Sequence, residues 1–237
     1  MNSPDDIIPI GFLEVQVWAS RALIGAGFPG GAVDQAARLV TQSQLLDEEA
    51  IPGFVADLPV IGARDHGTPD LEGRGVVNAN GLHALAVAPG VLDLACARDG
   101  QSYLVRHSAG AWVLPGVALH GARRGQTILA ASRATAWLAW PQGEGHAFAR
   151  LDHHALSNDA PENGYIIARC AVPDEVQLSR AWVLTSQDLA ARTATAQREG
   201  FPVRRGTWAG VTDWGWKMLV PTSDRSKAQA GGDMGEG

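Results

Sequence analysis

Cysteine is almost missing from this chain: there are 2 in 237 residues, Cys96 and Cys170, and no C-x-x-C pair. A zinc ribbon or a thioredoxin-like redox site therefore has no basis in the sequence. Each cysteine sits among apolar neighbours, Leu94-Ala95-Cys96-Ala97 and Ile167-Ala168-Arg169-Cys170-Ala171, and is expected to be reduced and buried as a small hydrophobe. Long hydrophobic runs are missing too. None approaches the roughly 18 residues of a membrane span. The opening Asn2-Ser3-Pro4-Asp5-Asp6 is acidic and lacks the charged-then-apolar pattern of a signal peptide, so a cytoplasmic, bacterial setting is expected. Positive charge is also scarce. The net charge is -6 with a pI near 5.6, and the densest basic pairs, Arg123-Arg124 and Arg204-Arg205, form no stripe, which argues against nucleic acid as a partner.

The composition, 46% hydrophobic and 19% charged, is that of a globular protein able to bury a core. Residues 12–27 predict an amphipathic helix: Phe12, Val15, Ala19, Ala22, Leu23 and Ala26 recur at three- and four-residue steps, and Gly25 and Gly27 stop it. A second helix starts after Gly30-Gly31 and pairs with the first as a hairpin. A third is expected over Glu48 to Leu58, limited by Pro52, and a long loop over Gly62 to Gly81. Gly90 to Arg98 reads as a buried helix and Ser102 to His107 as a strand. For Gly110 to Arg123 helix leads and strand is the rival. Gln126–Ala131, Thr135–Trp140, Gly145–Leu151 and Gly164–Cys170 read as strands bounded by turn residues. A last helix is expected from about Ser179 to Gln197. The order implies an α+β fold: an N-terminal helical hairpin on a mixed or antiparallel sheet, a closing helix and an extended C-terminal tail. Its predicted divisions are one domain over 1–200, a Trp-rich insertion or hairpin over 201–221, and a flexible Gly-rich tail over 222–237.

Few motifs carry chemistry. Gly25-Ala26-Gly27-Phe28-Pro29-Gly30 spells G-x-G-x-x-G, but a helix precedes it where a dinucleotide site needs a strand. His146, Asp152, His153, His154 and Asp159 cluster in sequence without a metal-ligand spacing, and no metal or cofactor is indicated. His107-Ser108-Ala109-Gly110 lacks the frame of a nucleophile elbow. Asp65-His66-Gly67, with Asp70 and Glu72 close behind, places a histidine beside carboxylates on a loop, so Asp65, His66 and, further on, His154 are the candidates for acid–base work. Two amphipathic helices followed by a His-Gly loop resemble the opening of the malate/L-lactate dehydrogenase type that binds nicotinamide outside the usual fold. That family has Ser-His-Gly where this chain has Asp65-His66-Gly67, and nothing later matches its cofactor-binding core.

The densest aromatic segment runs from Gly206 to Lys217, with Trp208, Trp214 and Trp216 among glycines. It reads either as rings buried on the core or as anchors for a partner. The chain's two ends also resemble a proteobacterial family of unknown function, number 3726. Leu13-Glu14-Val15-Gln16-Val17-Trp18-Ala19 through Gly27 matches its opening helix, and Val33 to Leu39 its second. Ala191-Arg192-Thr193 and Val220-Pro221-Thr222-Ser223-Asp224-Arg225-Ser226-Lys227 match its close. The resemblance implies no activity. It makes the tail a candidate for docking through Asp224, Arg225 and Lys227. The leading expectation is an accessory, partner-binding subunit of a small-molecule enzyme, with a homo-oligomer through the C-terminal segment also open. The rival is a small-molecule enzyme using Asp65, His66 and His154.

Overall fold

The computed structural model describes residues 3–62, 67–98, 100–151, 158–172 and 181–218. In chain order the elements are β1 (Ile7–Ile10), α1 (Phe12–Gly25), α2 (Val33–Leu46), α3 (Ala50–Gly62), β2 (Asp70–Leu71), β3 (Val76–Asn78), α4 (Ala84–Ala97), β4 (Ser102–Arg106) and α5 (Leu114–Arg123). The strands β5 (Ile128–Ala131), β6 (Ala136–Gln142), β7 (Gly145–Leu151), β8 (Gly164–Arg169) and β9 (Trp182–Leu184) follow, then α6 (Ser186–Glu199), β10 (Phe201–Arg204) and α7 (Arg205–Trp216). The fold is α+β. None of the described helices is long and apolar enough to cross a membrane.

An eight-stranded mixed sheet, ordered β2-β3-β4-β8-β5-β6-β7-β9, forms the backbone of the fold. Its one parallel contact among the described pairings is β3 with β4, joined through α4 as a β-α-β unit. Both faces of the central strands are covered. Ala130, Trp137, Phe148, Tyr165 and Ile167 meet the helices, and Leu129, Leu138, Trp140 and Ala149 form a second cluster on the opposite face. Strands buried on both sides read as unbroken apolar runs rather than alternating ones. That is why the four middle strands were legible in the sequence.

The helical layer is locked by short-range chemistry. In α2 Ser43 Oγ donates to the Val113 carbonyl at 3.1 Å and accepts the Gly116 N–H at 3.2 Å, tying α2 to the start of α5. Gln44 Oε1 accepts the Ile51 N–H at 2.9 Å, fixing the step into α3. Gly25 closes α1 against α7: a Cβ there would collide with the Trp214 carbonyl oxygen, so only glycine allows this approach.

Several expectations change. The stretch from Gly62 to Gly81 is not only loop, because it contains β2 and β3. With three residues, β3 is too short to show periodicity and exists because β4 pairs with it. Helix α6 starts at Ser186 rather than Ser179. A capping box of Thr185 and Asp188 sets that start, and Trp182 and Val183 belong to the edge strand β9. The 201–221 segment is no hairpin. β10 pairs with β1, and α7, with Trp208, Val211 and Gly215 on its buried face, packs on α1 and α3. Neither cysteine is a core residue: Cys96 is half-buried and Cys170 exposed. The tail from residue 219 lies outside the described residues.

Candidate functional site

The parallel pair β3 and β4 ends in two turns that are stitched together. Ala79 N–H donates to the Arg106 carbonyl at 2.9 Å, Gly81 N–H to the His107 carbonyl at 2.8 Å, and Ala84 N–H to the Ala109 carbonyl at 2.8 Å. Ser108 Oγ donates to the Leu82 carbonyl at 2.9 Å, and Ser108 N–H to the Asn163 carbonyl at 3.2 Å, which draws the approach to β8 into the same corner. The two turns each hold a non-glycine residue in the left-handed region, Asn80 at φ 50° and His107 at φ 56°. Such backbone is uncommon outside glycine and persists where surrounding bonds impose it. At Asn80 those bonds are visible. Its N–H donates to Asn78 Oδ1 at 3.0 Å, and its Nδ2 donates to the Thr68 carbonyl at 2.9 Å and to Asp70 Oδ2 at 3.3 Å.

Between these turns lies a cleft of about 400 Å³ lined by Gly81, His107, Ser108, Ala109 and Asn163. It adjoins a second depression of about 180 Å³ bordered by Arg106, His107, Pro161, Glu162 and Asn163. Inward, Gly81 and Ala109 also border a small apolar cavity walled by Phe28, Val60, Ile61 and His83.

His83 is a buried polar group lining the inner cavity. Its Nδ1 accepts the Leu85 N–H at 3.1 Å and so caps α4. A nitrogen that accepts carries no proton, so the proton is on Nε2, which donates to Asp57 Oδ2 at 3.0 Å. Trp112 Nε1–H donates to the same oxygen at 2.7 Å. Burial would raise the Asp57 carboxyl, but the hydrogen bonds from His83 and Trp112 outweigh it and hold the group below the ordinary carboxylate range. Gly110, at φ 92°, lies flat on the imidazole, where a Cβ would collide with Nε2. Both ring nitrogens are thus committed, and this His–Asp pair is a structural clasp between α3, α4 and the turn after β4.

The same contacts close the N-terminus of α4 to phosphate. The first-turn N–H groups of Ala84, Leu85, Ala86 and Val87 donate to the Ala109 carbonyl, His83 Nδ1 and, twice, the His83 carbonyl. No donor is left for the pyrophosphate that such a helix end commonly holds. Among the described residues no three His, Cys, Asp or Glu side chains gather as metal ligands.

Of the site residues expected from sequence, Asp65, His66, His154, Asp224, Arg225 and Lys227 lie outside the described residues. Their flanks are described. Ile61 walls the inner cavity, Thr68 is held by Asn80, and Pro161 to Asn163 border the second depression. His146 stands at the start of β7 and lines none of these depressions; burial and the charge of Arg123 pull its pKa down. The three tryptophans do not form one platform. Trp208 is buried and Trp214 half-buried under Lys217. Trp216 is exposed, with its edge on Trp18 at 5.2 Å. Sequence reasoning missed Asp57, His83, Trp112 and Asn163 altogether and weighed His107 only beside a serine nucleophile. The usable signal was Asn80-Gly81 followed by His83 at the head of an apolar run, a turn and a helix cap in succession.

No protein-family model and no curated protein matches the chain. Among the solved structures it matches, two illustrate the shared fold. A malate dehydrogenase from Pyrococcus horikoshii OT3 aligns over 93% of this chain and 97% of its own, with a TM-score of 0.61 and 11% identity. A dehydrogenase from Sinorhizobium meliloti aligns over 89% of this chain and 100% of its own, with a TM-score of 0.64 and 10% identity. The chain is therefore similar in fold to these dehydrogenases through nearly its whole length, where the sequence showed a likeness only at the first helices.

Proposed function

We propose that this protein is a small-molecule enzyme working in the cleft at the carboxyl ends of β3 and β4. The observation that carries the reading is the left-handed, non-glycine backbone of His107, which lines that cleft, and of Asn80, which immediately precedes the lining residue Gly81. Strained backbone gathers at ligand sites, and the carboxyl ends of parallel strands are where open α/β sheets take their ligands. The volume suits a small metabolite rather than a polymer. The fold neighbours' names suggest its class: oxidation of a small hydroxy acid, or the reverse reduction. In this reading His107 is the acid–base group and Arg106 the partner of a carboxylate. A nicotinamide cofactor, if used, is bound away from the capped end of α4.

The test is titration of the labelled protein with malate, oxaloacetate and NADH, followed by amide NMR. The reading expects the shifts caused by the two acids to be confined to residues 79–83, 106–110 and 161–163, and to be lost in His107→Gln. Saturating ligand that moves none of these amides would overturn it.

The accessory-subunit reading stands second, favoured by a different observation: Trp216 and the outer face of α1 are apolar and exposed. A pull-down in which a metabolic enzyme is retained by the native chain and lost with Trp216→Ala would promote it.

A further inference from the structure

Helix α1 is apolar on two opposite sides. Val15, Ala19, Ala22 and Leu23 face the core. On the outside, Leu13 is 73% exposed and Val17 and Ile24 are each about half exposed. These three recur at steps of four and seven, and Ser20 fills the remaining position of the four-and-three repeat, which is the seam of a helix that packs on another helix. Trp216 of α7, 56% exposed, stands beside the seam with its edge on Trp18. Surface helices ordinarily turn a polar face to water.

The seam carries one charge of each sign on one flank. Glu14 and Arg21 are seven residues apart, two turns along the same side. Arg21 lies over the Trp18 ring at 4.9 Å, and neither charge has an ion-pair partner among the described residues. Two such helices packed antiparallel about a two-fold axis between Val17 and Ser20 set Glu14 of each copy toward Arg21 of the other, twice by symmetry. A parallel pairing offers no such match. Ser20, the small residue near the axis, lets the backbones approach. The chain's own tail is a poor occupant, since after Leu219-Val220-Pro221 it holds, apart from the single Met234, only glycine, alanine and polar residues.

We propose that the outer face of α1 is a self-complementary contact through which two copies of this chain pair, antiparallel helix on helix, with Trp216 at its rim. Four exposed apolar side chains per copy fall short of the roughly 800 Å² per partner of a standard interface, so the dimer is weak and concentration-dependent. This inference does not depend on the reading of the cleft.

The experiment is sedimentation velocity on the full chain from low to several hundred micromolar. The expected result is a reversible monomer–dimer equilibrium that Val17→Glu abolishes while leaving the circular dichroism spectrum unchanged. Glu14→Arg and Arg21→Glu alone each weaken it by roughly tenfold. The double variant restores it, and so does mixing the two single variants. A monomer at every concentration overturns the proposal, as does a dimer indifferent to Val17→Glu. A dimer lost with Val17→Glu but blind to both charge reversals overturns the antiparallel register. Because none of these residues lines the cleft, ligand-induced shifts there are expected to survive in every variant.

Discussion

Asp57 receives the Nε2 proton of His83 at 3.0 Å while the other face of that imidazole, through Nδ1, ends a helix. One side chain thereby joins the middle of α3 to the first turn of α4, and Trp112 adds its indole N–H to the same carboxylate oxygen. The bonding pattern fixes the tautomer.

Removing the acceptor exposes what the clasp contributes. Asp57→Ala leaves two buried donors, His83 Nε2–H and Trp112 Nε1–H, without a partner, and is expected to destabilise the fold by about 2–3 kcal/mol. Asp57→Asn is expected to lose less, about 1–2 kcal/mol at neutral pH, by removing the charge. The sign with pH follows from the depressed carboxyl. Its stabilisation is fully present above the unfolded carboxylate range and is lost as pH falls through the lower folded value. Urea midpoints for wild type and Asp57→Asn should therefore differ at neutral pH and converge in acid. A gap that widens on acidification contradicts the assignment.

Gly110 tests the same clasp from above. A methyl there meets His83 Nε2 and also forces an L-residue to φ 92°. Gly110→Ala is expected to cost about 2–4 kcal/mol, well beyond an ordinary loop substitution. Differential scanning calorimetry of this variant and of Gly143→Ala, also at positive φ but with open space for a Cβ, separates collision from backbone strain. Gly110→Ala should lie much the lower of the two.

Trp208 and Trp216 separate the structural from the surface role of the tryptophan cluster. Trp208 packs inside the core, so Trp208→Ala is expected to lose about 3–5 kcal/mol. Trp216→Ala should change the midpoint by less than about 1 kcal/mol and act on association instead. Chemical denaturation paired with sedimentation reads both. Equal losses in the two variants would mean that Trp216 is a core residue.

What the sequence made legible follows from how locally each feature is determined. Helix α1 was visible because Val15, Ala19, Ala22 and Leu23 keep helical spacing and the glycines after them end it. The middle strands were visible as short apolar runs between turn residues. β3 was not, because Val76 and Val77 form a strand only by pairing with Leu104 and Val105, a partner chosen by the tertiary fold. The tryptophans of α7 misled for a similar reason. Gly206, Gly210 and Gly215 argue for a turn-rich hairpin by propensity, yet Gly210 meets Val55 and Gly215 meets Trp18, so the glycines serve close helix packing. The clasp beside the cleft was the least legible part. His83 and Asp57 lie 26 residues apart, and nothing local to either announces the other.

His107 offers the sharpest trial of the cleft itself. It holds a left-handed backbone at φ 56° that costs an L-residue roughly 1–2 kcal/mol and costs glycine almost nothing. Glycine's larger unfolded-state entropy takes back about 0.5–1 kcal/mol. His107→Gly is therefore expected to be as stable as the parent or more stable by up to about 1.5 kcal/mol. It should at the same time lose any ligand response mapped to residues 79–83 and 161–163. Gain of stability with loss of response is the signature of strain kept for function. Thermal melts and amide titrations on the same samples decide it. A variant less stable than wild type would mean that the imidazole is held by contacts that reward the strained backbone. A stabilised variant with an undiminished ligand response would remove His107 from the site.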